Sequence, residues 1–143
     1  MTLLAVTAGF IGFHLARLLL EEDSVVHGYD GMTDYYDVDL KRQRNAILAG
    51  YPNYSFTEGM LEDNQLIETA TDGFAPDVII HLAAQAGVRY SLENPRAYIE
   101  SNVVGTFNVM EAAKNQKVRH LLMASTSCRD LPVPAREISG CWP

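Results

Sequence analysis

The stretch "AVTAGFIGFHLARLLL", residues 5–20, decides the fold. It opens as a small apolar strand, turns through Gly9 and Gly12, and continues as a helix with Ile11, Leu15, Leu18 and Leu19 at helical spacing on one face. A strand that passes into a helix through close glycines brings free N–H groups and the positive end of a helix dipole to one point. That arrangement suits a pyrophosphate. The competing reading is a tight strand-to-helix turn with no ligand.

The rest of the chain repeats this alternation. Strands are predicted at "LLAVT" (3–7), "SVVHGY" (24–29), "YSFTE" (54–58), "PDVIIHLAA" (76–84) and "VRHLLMAST" (118–126), with helices at 10–22, within 34–50, at 62–73 and at 95–116. The second helix ends at Gly50 with its basic residues toward solvent, and the third is closed by Gly73. The unbroken apolar run of "VIIHLAA" predicts a central strand covered on both faces. Short apolar strands joined by crossover helices make an α/β fold, a doubly wound parallel sheet of Rossmann type. The predicted order is 3-2-1-4-5, with about five strands.

At 143 residues a single domain is the natural unit, and 48% hydrophobic with 20% charged residues is ordinary for a packed one. A net charge of −7 and a pI near 4.9 argue against nucleic acid or an anionic membrane surface as partner. Cys128 and Cys141 are too few for a disulfide framework or a zinc site, so no metal is expected. "MTLLAV" has no basic start and no apolar run of export length, and a cytoplasmic location is the expectation.

In such a sheet ligands sit beyond the carboxyl ends of the strands where the order reverses. Asp30 ends the second predicted strand 21 positions after Gly9, near the offset at which an acid binds the adenosine ribose hydroxyls. No arginine follows in "DGMTD", which favours NAD over NADP. A turn or capping aspartate is the competing reading of Asp30. His81, alone in an apolar run, reads as a hydrogen-bonded core residue rather than a ligand.

The segments "GFIGFHLARLLLEE", "TDYYDVDLKRQRN", "PDVIIHLAAQAGVRYSLENPRAYIESNVVGTFNVMEAAK" and "VRHLLMAST" together resemble the N-terminal half of the extended short-chain dehydrogenases/reductases, and among them the UDP-glucuronate 4-epimerases. The resemblance runs from about residue 4 to residue 127. It implies bound NAD, with Gly9, Phe10, Ile11 and Gly12 in the glycine loop and Asp30 on the ribose. Leu82, Ala83, Ala84 and Gln85 then form the strand-end loop under the cofactor, and Asn102 lies near it. Thr126 falls where a serine or threonine binds the reacting oxygen of the sugar. Arg89 is a candidate for an anionic part of a nucleotide sugar, with a loop arginine paired to Glu93 as the competing reading. The implied chemistry is removal of hydride from C4 of the sugar and its return to the opposite face.

The chain also departs from that pattern. No tyrosine is followed by lysine four positions on, so the family's Tyr-x-x-x-Lys base pair is absent. After Ser127 the pattern gives way to "CRDLPVPAREISGCWP", which reads as a frame change or truncation, or as a divergent tail (128–143) beside a cofactor-binding domain (1–127). The loop "VTAGFIG" is two residues shorter than the family's, and Met60 stands where the family has an aspartate that contacts adenine. The expectation is the cofactor-binding part of a nucleotide-sugar epimerase, inactive as this chain. The alternatives are a non-catalytic NAD-binding or interaction module, or a non-functional product. The family's homodimer is not expected, since its helices include the missing catalytic one.

Overall fold

The computed structural model describes residues 1–35 and 37–125. Five parallel strands form one sheet: β1 (Thr2–Ala5), β2 (Val26–Asp30), β3 (Tyr54–Glu58), β4 (Val78–His81) and β5 (His120–Met123). Their order, β3-β2-β1-β4-β5, is the one the alternation of strand and helix predicts. The helices are α1 (Phe10–Glu21), α2 (Val38–Leu48), α3 (Asn64–Phe74), α4 (Val88–Glu93), α5 (Pro95–Tyr98) and α6 (Thr106–Asn115). Between α5 and α6, Ile99–Gly105 is wound as a π-helix.

Two apolar layers hold the helices to the sheet. On one face Phe13, Ala16 and Leu20 of α1 and Leu48 of α2 pack on Val26, with Ile80 and Leu82 alongside. On the other, Ile67 of α3 and Val109 and Ala113 of α6 pack on Leu3, Ala5, Tyr29 and Ile79. Central β4 thus contributes to both layers, as its apolar run requires.

Several local expectations are corrected. The buried side of α1 is Gly12, Phe13, Ala16 and Leu20, while Ile11 and Leu18 are exposed. Gly12 has to face the sheet because the chain passes directly over it, and that fixes the helix's rotation. Gly73 lies inside α3, and the left-handed residue that closes the helix is Ala75, at φ 49°. The single predicted helix 95–116 divides into α5, the π segment and α6, and α4 precedes it where a loop was expected.

Helix α2 turns a lysine toward the interior. Asp37 caps it, accepting from the N–H groups of Asp39 and Leu40, and so sets the register of the first turn. Lys41 and Leu48, seven apart and therefore on one face, point inward, while Leu40 and Ile47 are exposed. The basic residues of this helix are not all on its solvent side.

The outer edge of β5 pairs with no strand among the described residues. Leu122 and Met123 are exposed there, as are Ile99, Val103, Phe107 and Met110 along the π segment and α6.

Candidate functional site

A cleft of about 860 Å³ opens beyond the carboxyl ends of β1, β2 and β4, where the strand order reverses. Gly9 to Gly12 form one wall and Leu82 to Ala86 another, with Asp30, Lys41, Arg44 and Met60 at one end. Its volume is within the range of ordinary ligand sites.

The glycine turn is tight. Ala5 ends β1, and Val6 enters the left-handed region at φ 67°, rare for a β-branched residue. Gly9 is extended at the start of α1, and the ladder begins with Phe13 N–H donating to its carbonyl at 2.9 Å. The N–H groups of Phe10, Ile11 and Gly12 therefore have no intrahelical acceptor, and the first turn holds no acid. The turn thus presents N–H donors without an intrahelical acceptor at the positive end of the α1 dipole.

Asp30 is at the end of β2, 2% exposed, with its carboxylate well supplied with donors. Oδ2 accepts from Ala8 N–H at 3.1 Å, and Oδ1 accepts from Met32 N–H at 3.0 Å and from Lys41 Nζ at 3.1 Å. The Lys41–Asp30 ion pair is buried on both sides. Arg44, one turn further along α2, donates to the Ala8 carbonyl at 3.3 Å and lies 5.9 Å from the Phe10 ring centroid. No arginine stands in "DGMTD", yet from α2 Lys41 reaches Asp30 itself and Arg44 reaches the neighbouring Ala8 carbonyl. Their spacing of three on one helix was the available signal.

On the other wall, Asn102 of the π segment exchanges two bonds with Gln85. Its Oδ1 accepts from Gln85 N–H at 2.7 Å, and its Nδ2 donates to the Gln85 carbonyl at 3.0 Å. Asn102 thereby clamps the loop that follows β4. Glu100 and Ser101 of the same segment line the cleft, and π-helical turns often occur at functional sites. Tyr35 and Tyr90, whose ring centroids are 4.9 Å apart, bridge the loop after β2 and helix α4. Tyr35, Tyr90, Glu100 and Ser101 lie within the segments that resemble the family but are not singled out by it as binding residues, and the fold brings them to the cleft.

Met60 lines the cleft against Gly31. Tyr29 donates to the Met60 carbonyl at 3.0 Å. Its phenol is pushed up to about 12 by burial, with lesser contributions from Asp63 and Glu62, so it stays protonated and is unsuited to be a base. His81 is a core residue, 4% exposed, its Nε2 3.0 Å from Thr106 Oγ1. Its Nδ1 has no partner among the described residues. Arg89 is exposed, does not line the cleft, and forms no ion pair with Glu93 among the described residues. Thr126 and both cysteines lie outside the described residues. Among those residues there is no cluster of metal ligands, and no helix is long and apolar enough to cross a membrane.

Residues 5–128 match the family described as GDP-mannose 4,6 dehydratase. The chain is 54% identical over 121 residues to a probable UDP-glucuronate 4-epimerase of Rhizobium meliloti, covering 85% of this chain and 36% of that one. It is 42% identical over 120 residues to the UDP-glucuronate 4-epimerase of Thermodesulfobacterium geofontis, covering 84% and 37%. The fold superposes on the Thermus thermophilus UDP-glucose 4-epimerase in complex with NAD with a TM-score of 0.76 at 27% identity, covering 94% of this chain and 42% of that structure. The chain therefore spans little more than a third of the length of these curated relatives.

Proposed function

The chain belongs to the GDP-mannose 4,6-dehydratase family of NAD-dependent epimerases and dehydratases, and from that premise we propose that it is the cofactor-binding part of a nucleotide-sugar 4-epimerase acting on UDP-glucuronate. The observation that carries the reading is the open N-terminus of α1 facing a cleft with Asp30 at one end and the Gln85 loop at the other. The free N–H groups of Phe10, Ile11 and Gly12 would hold the pyrophosphate, with Asp30 toward the adenosine ribose. Leu82 to Gln85, fixed by Asn102, would run under the far end of the cofactor. NAD, when bound, supplies a reversible hydride acceptor for C4 of the sugar.

These residues fit the cofactor's phosphates and ribose, but they do not complete the reaction. Removing the C4 hydroxyl proton needs a base within hydrogen-bond reach. No tyrosine here has a lysine four positions on, and Tyr29 is held protonated. The proposal is therefore NAD binding by residues 1–127 without turnover by this chain.

Calorimetric titration with NAD, followed by incubation with NAD and UDP-glucuronate, tests both parts. Binding without epimerisation supports the reading. Conversion to UDP-galacturonate would place a base elsewhere, with Tyr90 on the cleft wall the first to substitute. Absence of NAD binding would favour an interaction module or a non-functional product.

A further inference from the structure

A second cavity, of about 330 Å³, lies between α3 and the side chains of β2 and β3, and it shares no lining residue with the cleft. Leu66, Ala70 and Phe74 of α3 form its apolar wall, and His27, Ser55 and Thr57 form the polar one. Ser55 and Thr57 are two apart on β3 and so share a face, while the strand register sets His27 opposite Ser55. His27 Nδ1 is 2.7 Å from Ser55 Oγ, and Nε2 is 3.0 Å from Thr57 Oγ1. The imidazole packs on Phe74, with ring centroids 5.1 Å apart. Its burial lowers it from the usual 6.5, so near pH 7 it is neutral and one nitrogen can accept a proton. Ser55 is exposed. Gly73 lines the same cavity, and a β-carbon there would meet nothing within 4 Å. A glycine inside a helix is unfavourable relative to alanine, and packing does not require this one. What it does is keep the cavity open.

We propose that Ser55 is an activated nucleophile, with His27 as its base and Thr57 orienting the imidazole, and that it accepts an acyl group from a small activated ester. A serine within reach of a histidine that a third group holds is the arrangement covalent catalysis uses. With the imidazole proton on Nε2 and donated to Thr57 Oγ1, Nδ1 takes the Ser55 proton as Oγ attacks the carbonyl carbon. The bond from that carbon to the leaving oxygen breaks, the proton passes from Nδ1 to the leaving oxygen, and the products are acyl-Ser55 and an alcohol. Thr57, half-buried and branched, is the worse nucleophile of the two. The apolar wall suits a short acyl chain, and the volume is at the small end of ligand sites.

The full chain is incubated with p-nitrophenyl butyrate, release of nitrophenol is followed, and the acylated residue is located by peptide mass spectrometry. A stoichiometric burst with the butyryl group on Ser55 is expected. His27→Gln, which keeps a hydrogen-bonding amide but cannot take the proton, should slow labelling of Ser55 by about a hundredfold. Thr57→Val should slow it several-fold and Thr57→Ser restore it, with amide exchange in β2 and β3 unchanged. Gly73→Leu leaves all three residues in place and fills the cavity, so labelling should slow at least about tenfold as the butyryl chain loses its apolar seat. Butyryl groups on other residues of the unaltered chain with Ser55 unmodified would overturn the proposal without any variant having to fold. Labelling of Ser55 at an unchanged rate in His27→Gln would overturn it by removing the base, and an unchanged rate in Gly73→Leu would do so by removing the cavity.

Discussion

The carbonyl oxygen of Val6 stands 1.9 Å from the point where a β-carbon on Gly12 would lie. The chain leaving β1 thus crosses the first turn of α1 with no room for a side chain, and the close approach holds the strand end, the turn and the helix start together.

Gly12→Ala must displace backbone rather than a flexible side chain. It should destabilise by about 3 kcal/mol or more, the upper end for overpacking. Gly73→Ala is the contrast, since its β-carbon meets nothing within 4 Å and the residue lies in α3. It should stabilise by about 0.5 kcal/mol through helix propensity. Urea unfolding of both variants checks the pair, and similar costs for the two would show that the Val6 contact relaxes freely.

The loop after β4 depends on one side chain. Asn102→Ala leaves the N–H and carbonyl of Gln85 without their partner and should cost about 1–2 kcal/mol. Asn102→Asp keeps the acceptor but sets a carboxylate oxygen against the Gln85 carbonyl. Amide hydrogen exchange should accelerate at Gln85 in both variants while β1 and β2 stay protected. Unchanged exchange at Gln85 would show that the clamp is not what orders the loop.

Acid should loosen the fold in a defined window. Burial lowers the imidazoles of His27 and His81 from their usual 6.5, so the folded chain takes up protons less readily than the unfolded one. The unfolded state then binds more protons at pH values around and below 6.5, so stability declines as pH falls through that range, while well above 6.5 the slope vanishes. Denaturation midpoints between pH 7.5 and 5.5 should fall toward acid. His81→Asn should flatten part of that fall, and an unchanged slope would remove His81 from the account.

The sheet order was legible in the sequence because apolar runs and crossover lengths leave few alternatives. Asp30 was legible as the end of β2 for the same reason. Lys41 was not, because helical spacing there suggests Leu40 and Ile47 as the inward pair, whereas the cap at Asp37 and the buried carboxylate of Asp30 turn the helix the other way. Ile11 and Leu18 misled similarly, since periodicity cannot register a backbone lying directly on Gly12. The π segment and α4 escaped because neither a widened helical turn nor a six-residue helix carries a period of its own.

The short turn leads to the last prediction. The chain takes Val6 into the left-handed region on leaving β1, and Ala8 N–H comes within 3.1 Å of Asp30 Oδ2. A left-handed β-branched residue costs roughly 1–3 kcal/mol. Val6→Gly should therefore raise stability by about 1 kcal/mol, after allowance for the freer unfolded chain. It should leave NAD affinity unchanged, because the Ala8–Asp30 bond remains. Inserting two residues before Gly9 to restore a Thr-Gly-x-x-Gly turn acts differently, since it lengthens the path over α1 and releases Ala8 N–H from the carboxylate. Oδ2 then recovers an acceptor position for ribose, and NAD affinity should rise at least about tenfold, the value of one hydrogen bond to a charged group. Combining the insertion with Met60→Asp should raise it again, while epimerisation stays undetectable without the Tyr-x-x-x-Lys pair. Calorimetry on the four proteins separates relief of strain from repair of binding. If Val6→Gly alone restored affinity, the left-handed residue rather than the missing length would be what limits the site.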